Sequence, residues 1–245
     1  MTDEKSVVAD KDVQAEKFGL EVMVDEYACA VADQQAPPTG VEATRRFYKR
    51  YALRQEAMAG VGEEPACGKG CSYCCHTRVS APAQEVFVLA DAIGRLPPER
   101  AAEVRARVSA NAARAEGMDA ATHSRTPMPC AFLDEQGACS VYDDRPSNCR
   151  RYHSLSKADC EKSFSRPEDL TSRIRLNTSL LVANVSSYLG YRKVLVESAV
   201  DTSFFELNSA LREALADPEA CRERFDAGQP AFTDATVCVP NGTMI

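Results

Sequence analysis

The chain of 245 residues is long enough for one large domain or two small ones with a core of its own. Hydrophobic residues at 44% and charged residues at 27% are ordinary values for a soluble globular protein, and no run of about 18 apolar residues offers a membrane-spanning helix. The formal charge of −7 argues against general binding to nucleic acid or to an anionic membrane, while leaving room for a local basic patch.

In chain order, the opening MTDEKSVVADKDVQ is polar and acidic, lacks the pattern of a secretory leader, and is expected to be frayed over its first dozen residues. The cytoplasm is therefore the expected compartment. Leu20, Val24, Tyr27 and Val31 recur at helical spacing between about Asp10 and Asp33. QQAPPTG ends that helix, and a second, rich in Arg and aromatic residues, is expected over Val41–Ala59. GVGEEPACGKG reads as loop. A helix follows with Ser80 as N-cap and Val86, Leu89, Ala90 and Ile93 on one face, then another over Pro97–Glu116 with Gly117 at its C-terminus. AFLDEQGACSVY predicts a short β-hairpin around Glu-Gln-Gly. Further helices are expected over Leu170–Gly190, with Ile174, Leu181, Val185 and Tyr188 on one face, and over Thr202–Ala216 and Pro218–Ala227, with Thr202 and Asp217 as caps; RKVLVESAV fits helix or strand equally. The fold class is mainly α, with an irregular Cys-rich metal-binding module and one short hairpin. Three regions are expected: an N-terminal helical extension over 1–60, the Cys-rich module over 61–165, and a C-terminal helical region over 166–245.

Eleven cysteines are several times ordinary usage, and eight of them, Cys67, Cys71, Cys74, Cys75, Cys130, Cys139, Cys149 and Cys160, fall within 94 residues. In a reducing compartment such clustering favours metal binding over disulfides. Thiolate is the soft ligand preferred by zinc and by iron–sulfur iron, and a tetrahedral site needs four donors at one point. In CGKGCSYCC, Cys71 and Cys74 have Cys-x2-Cys spacing and Cys67 precedes by Cys-x3-Cys; the glycines permit the positive φ of such a loop, and Lys69 offers a charge that would favour thiolate. The side chains of adjacent Cys74 and Cys75 are expected to diverge and serve different sites or different edges of one cluster. The later set is too spread to close without tertiary structure. Eight thiols permit two four-sulfur sites, or one site with spare redox thiols. Cys29, Cys221 and Cys238 read as small buried hydrophobes.

CGKGCSYC resembles the Cys-x3-Cys-x-aromatic-Cys of radical S-adenosylmethionine enzymes, but no strand–helix repeats of a partial barrel follow it. The two cysteine groups read together, CGKGCSYCC, PCAFLDEQGACSVYDDRPSNCRRY and Cys160, resemble the YkgJ-type cysteine-cluster family, a zinc- or iron-chelating domain, over about residues 67–160. That resemblance implies a chelating module whose ligands are drawn from Cys67, Cys71, Cys74, Cys75, Cys130, Cys139, Cys149 and Cys160, holding zinc or an iron–sulfur cluster, a [4Fe–4S] cluster if iron. Flagellin lysine methylases look related through a similar cysteine cluster, which implies iron–sulfur binding and a protein-modifying role. No conventional methyltransferase loop accompanies it.

His76 and His153 flank the cysteines as candidate ligands or as hydrogen-bond donors to sulfur. His123 is given no role. Arg145, Arg150 and Arg151 beside Cys149 would balance gathered thiolates, meet an anionic substrate, or pair with Asp143 and Asp144. Residues 45–51, RRFYKRY, read as an amphipathic helix with snorkelling cations rather than a nucleic-acid contact. No Ser-His-Asp order, phosphate loop or H-E-x-x-H is present. The expectation is a metal-binding protein; the alternatives are an iron–sulfur enzyme, redox or protein-modifying, and a thiol redox protein using Cys74 and Cys75. A protein partner or substrate is compatible with either; nucleic acid and membrane are not expected.

Overall fold

The structure is a computed structural model that describes residues 3–35, 40–58, 60–169 and 171–243, with side chains described from residue 14 onward. The helix break at 36–39 and residue 170 lie outside the described residues. Among the described residues ten α-helices dominate: α1 Asp3–Gln35, α2 Val41–Ala57, α3 Ala83–Gly94, α4 Pro98–Ala115, α5 Ala120–Arg125, α6 Ser147–Arg150, α7 Lys157–Ser165, α8 Thr178–Glu197, α9 Leu207–Ala216 and α10 Pro218–Asp226. The mainly α expectation holds.

Two apolar clusters organise them. In the first, Val86, Phe87, Leu89 and Ile93 of α3 meet Val104 and Val108 of α4, Leu211 of α9 and Phe225 of α10. This is the α3 face that the sequence periodicity picks out. The second is aromatic: Phe47 of α2 stacks flat on Tyr191 of α8 with centroids 4.2 Å apart, and Tyr48, Tyr51 and Tyr188 surround them. Such ring packing buries large area and fixes relative orientation at once.

The first helix docks differently from its expected pattern. It begins at Asp3 rather than after a frayed dozen residues. Leu20 and Val24, expected on its buried face, are 56% and 57% exposed. The face turned inward carries Glu26, Ala30 and Asp33, because α2 answers with arginines: Arg50 and Arg54 both pair with the fully buried Glu26, while Arg46 reaches Asp33 at 2.6 Å. A buried carboxylate needs such partners to stay charged. On the other side α1 runs along α8, where Gly190 leaves room for the α1 backbone at Met23. The RRFYKRY cations are thus largely engaged with carboxylates: Arg45 also meets Glu42, Asp91 and Asp144.

The β-structure is not where the sequence placed it. A three-stranded antiparallel sheet joins β1 Ser80–Pro82, β2 Phe204–Glu206 and β3 Val237–Val239 in the order β1-β2-β3. Ser80 therefore sits in a strand, and α3 starts after Pro82. Phe204–Glu206 takes the expected first turn of the Thr202 helix; Glu206 caps α9 by accepting the Ser209 N–H at 2.7 Å, while the Thr202 hydroxyl donates to Asn241 at 2.8 Å. The expected hairpin at 131–142 reduces to a tight turn with one isolated bridge, Leu133 to Cys139. RKVLVESAV continues α8 as far as Glu197. Ile174, expected on the α8 face, lies before that helix and is 38% exposed. Asp217 caps α10 as expected.

Asn177 fastens the two ends of the cysteine region together. Its side-chain oxygen caps α8 by accepting the Leu180 N–H, and its amide nitrogen donates to the carbonyls of Val61 and Glu63 at 3.2 and 2.8 Å.

Candidate metal centre

The cysteines gather around one 3-10 turn, Tyr73–His76, that carries Cys74 and Cys75. On one side the chain at 128–130 runs along it, Cys130 N–H donating to Cys75 O at 2.8 Å and Met128 N–H to His76 O at 3.0 Å. On the other side α7 packs through Phe164, whose ring lies 5.7 Å from Tyr73 and 4.9 Å from His76, and this helix brings Cys160. Cys67 is held from a fourth segment: its Sγ accepts the Ser154 N–H at 3.3 Å, and Ala66 N–H donates to Ser154 O at 2.7 Å.

Cys139 is positioned by the 134–137 turn, in which Asp134 Oδ1 accepts the Gln136 and Ala138 N–H groups at 2.9 and 2.8 Å. That turn and the CGKGC loop press together through two glycines. Gly70 (φ +84°) and Gly137 (φ +73°) lie in the left-handed region, and a Cβ on Gly137 would stand 3.2 Å from the Gly70 carbonyl oxygen. Only glycine meets both demands easily. This contact joins the early and late cysteine groups, and it bears out the expected need for glycine at Gly70.

Cys149 lies in α6, a single turn with hydrogen-bond partners on three long helices. From α3, buried Glu85 accepts the Ser147 N–H at 3.2 Å and the Ser147 hydroxyl. From α2, Gln55 donates to Arg150 O at 3.1 Å; from α8, Asn184 donates to Arg151 O at 3.2 Å. Asn148 adds a bond to Ser80 O at 2.7 Å. The sequence reading missed Glu85, Gln55 and Asn184. The one signal for Glu85 is a carboxylate in the first turn of an otherwise apolar helix.

Electrostatic proximity links the thiols through Cys74. The charges of Cys71, Cys74 and Cys160 reach Cys67, and Cys74 is also felt by Cys75, Cys130 and Cys149. Cys67 and Cys74 are exposed and the other six half-buried. Burial pushes Cys130 up to about 11 and raises Cys139 and Cys149 as well, since a lone thiolate is poorly solvated there. The neighbouring Cys75 thiol holds Cys74 low, and Cys74 together with burial pushes Cys75 up. All eleven cysteines are free thiols.

Three guanidinium groups lie beside this set, and among the described residues none of them bonds to a carboxylate. Arg145 donates to Tyr142 O at 2.9 Å and stacks on the Tyr142 ring at 3.5 Å; Arg150 donates to the carbonyls of Arg145 and Asp143; Arg151 bonds Asn148. Of Asp143 and Asp144, the pairing partners weighed for them, Asp144 is taken by Arg45 and Arg95, and Asp143 is met by Arg150 through its backbone carbonyl. The cation that reaches Cys74 is Arg145.

His76 Nδ1 lies 2.9 Å from Ser72 O, and His153 Nδ1 lies 3.5 Å from Asn184 Nδ2, with burial holding the His153 ring toward its neutral form. His123 is a core residue, 4% exposed. Of the thiols outside the gathering, Cys221 is fully buried as expected, Cys29 is half-buried, and Cys238 is half-buried with its Sγ 2.7 Å from Arg78.

As the side chains stand, no three Cys, His, Asp or Glu among the described residues converge closely enough to grip one ion. The donor chemistry nevertheless fits a thiophilic metal: eight thiols from separate segments, arginines beside them without ion pairs among the described residues, and no competing hard-ligand cluster among those residues.

The fold and its thiols define a mainly helical protein with a cysteine-rich module. Residues 66–169, between the N- and C-terminal helices, match the family model CxxCxxCC, described as a putative zinc- or iron-chelating domain. The resemblance read from the sequence is thereby met; residues 1–65 and 170–245 lie outside the match. No curated protein and no solved structure matches the chain. No helix among the described residues is long and apolar enough to cross a membrane.

Proposed function

We propose that this protein chelates zinc or an iron–sulfur cluster, [4Fe–4S] if iron, through thiolates drawn from Cys67, Cys71, Cys74, Cys75, Cys130, Cys139, Cys149 and Cys160, in a reducing compartment such as the cytoplasm. The observation that carries this reading is the gathering of eight free thiols around the turn at 73–76, with three guanidiniums beside them that form no ion pair among the described residues. A four-thiolate site keeps net negative charge, and arginines in that position offset it. The exposed thiols of Cys67 and Cys74 suit exchange with solvent or a partner. Once bound, such a metal supplies cross-linking of the module and, for a cluster, electron transfer.

The test is anaerobic purification of untagged protein followed by metal and acid-labile sulfide analysis with a visible spectrum. Stoichiometric zinc, or iron with matching sulfide and a broad band near roughly 400 nm (the ligand chemistry is), is expected. Protein that takes up neither, even after reconstitution under reducing conditions, overturns the reading.

Exposure of Cys67 and Cys74 favours one second reading, an iron–sulfur enzyme whose cluster edge faces solvent, of the protein-modifying kind that the flagellin lysine methylase resemblance implies. An S-adenosylmethionine- or partner-dependent activity lost in Cys67→Ala or Cys74→Ala would favour it over the first.

A further inference from the structure

Two open cavities flank Met58, the residue that caps the C-terminus of α2. The larger, about 300 Å³, lies between three helices: Phe18 and Val22 of α1, Ala57 and Met58 at the end of α2, and Ala183 of α8 give it apolar walls. The smaller, about 140 Å³, is bounded by Val61, Pro65 and Leu180, with Gln55, His153 and Asn177 adding polar groups. This second cavity ends at the thiol module. Just beyond Pro65, the Cys67 thiol accepts the N–H of Ser154, the neighbour of His153.

The charge around them is one-sided. Glu21 and Asp25 line the larger cavity, Glu63 and Glu64 the smaller. Among the described residues Glu21, Glu63 and Glu64 form no ion pair, and Arg54, the cation lining the larger cavity, is taken by Asp25 and Glu26. The cations closest in sequence to the other walls are engaged too: Arg151 bonds Asn148, and Arg175 pairs with Asp159. Arg145, whose charge reaches His153, lies over the Tyr142 ring. Counted whole, the bounding segments 14–26, 53–58, 60–66 and 177–186 hold seven Asp and Glu against two Lys and Arg, a far steeper excess than the 36 against 29 of the full chain.

We propose that the two cavities beside Met58 dock a segment of a partner protein that combines basic and large apolar side chains, an apolar anchor entering the larger cavity and a lysine or arginine the smaller. Charge selects the class of occupant. Unpaired carboxylates at the site and the net −7 of the chain both repel nucleic acid and anionic membrane, and both attract a cation. Apolar walls then select a polypeptide over a polyamine, which carries no large apolar group to fill the cavity between α1, α2 and α8. Two sockets separated by one side chain suit two anchors of a single segment. The contact stands apart from the chelation reading, although the smaller cavity would bring the partner's chain beside exposed Cys67.

The experiment is fluorescence anisotropy of a labelled peptide built of lysine and leucine, titrated with the full chain. Binding is expected, weakening between about 0.05 and 0.3 M salt as charges are screened. An oligolysine peptide of equal charge brings no apolar anchor and should bind at least about tenfold more weakly. Glu21→Lys with Glu63→Lys and Glu64→Lys should lower affinity for the lysine–leucine peptide at least about tenfold. Glu99→Lys with Glu219→Lys and Glu223→Lys makes the same change of charge on α4 and α10 and should lower it by less than about twofold. Ala57→Phe fills the larger cavity from an exposed position without altering charge, and should lower affinity at least about threefold. Failure of the lysine–leucine peptide to bind, equal binding of oligolysine or of spermine, equal losses in the two triple variants, or unchanged affinity in Ala57→Phe overturns the proposal.

Discussion

The carboxylate of Glu85 accepts two hydrogen bonds from Ser147, backbone and hydroxyl, and so ties the first turn of a core helix to the residue two places before Cys149. The Glu85 side chain is 1% exposed, and burial pushes it up to about 7 against the pull of Ser147 and Arg150. A structural core element thus sets the position of a candidate ligand. Glu85→Ala should leave Ser147 N–H unpaired and loosen α6, costing about 1–3 kcal/mol and slowing or weakening metal uptake, read by chelator competition. Glu85→Gln keeps one acceptor and should recover most of the uptake.

The same residue predicts a pH dependence. Its folded-state value is raised from 4.5 to about 7, so its stabilising contribution is complete below pH 4.5 and is lost as pH rises through 7. The loss amounts to about 3 kcal/mol, taking about 1.4 kcal/mol for each pH unit. Thermal unfolding of wild type should fall between pH 5 and pH 8 relative to Glu85→Gln, which has no proton to lose there. Parallel curves for the two proteins would refute this assignment.

Removing the metal should loosen residues 67–160 while α1, α2 and α8 stay folded. Their contacts are aromatic and ionic and owe nothing to the thiols. Hydrogen exchange on metal-free protein is expected to rise in the 67–75, 130–139 and 149–160 segments alone. Cys149→Ala should act likewise. Cys221→Ala, in the apolar core, should cost about 1 kcal/mol and leave metal content unchanged.

At Gly137, alanine forces a side chain into a positive-φ turn and against the Gly70 carbonyl. A cost of about 1–2 kcal/mol follows from the backbone conformation and the contact together. Because the strain lies between the two cysteine groups, metal affinity should drop more than global stability does. Calorimetric titration alongside thermal unfolding separates the two.

Glu26→Ala removes the carboxylate that Arg50 and Arg54 share, leaving Arg50 to Asp33 and Arg54 to Asp25. Losing the charged hydrogen bonds to one member of such a cluster costs on the order of 1–3 kcal/mol. Loosening of α1, read as faster hydrogen exchange along that helix, is the expected result, with metal binding retained.

Sequence made the cysteine gathering legible because thiol spacing and glycine content are local properties. It made α3 legible because Val86, Leu89 and Ile93 follow the helical period onto a single apolar core. It misread α1 because periodicity locates apolar stripes, and this helix buries Glu26 and Asp33 instead, a choice decided by arginines on another helix. The sheet was invisible for a similar reason. Strands of three residues carry too little pattern, and Ser80–Pro82 pairs with a segment more than a hundred residues away. The link between the two cysteine groups at Cys74, and the support of Cys149 by Glu85, Gln55 and Asn184, are tertiary facts with no spacing to announce them.

Asn177 has a consequence for assembly. By gripping Val61 and Glu63 while starting α8, it shuts residues 64–176 into a loop whose ends already touch. A thiol in an open chain must search for three others, and the entropy of closing each loop opposes capture. Here the longest closure is complete before any ion arrives, leaving only shorter ones, and closure entropy grows with the logarithm of length. Uptake should therefore be fast and repeatable, with the helices acting as a returnable purse rather than a fold built anew around each ion.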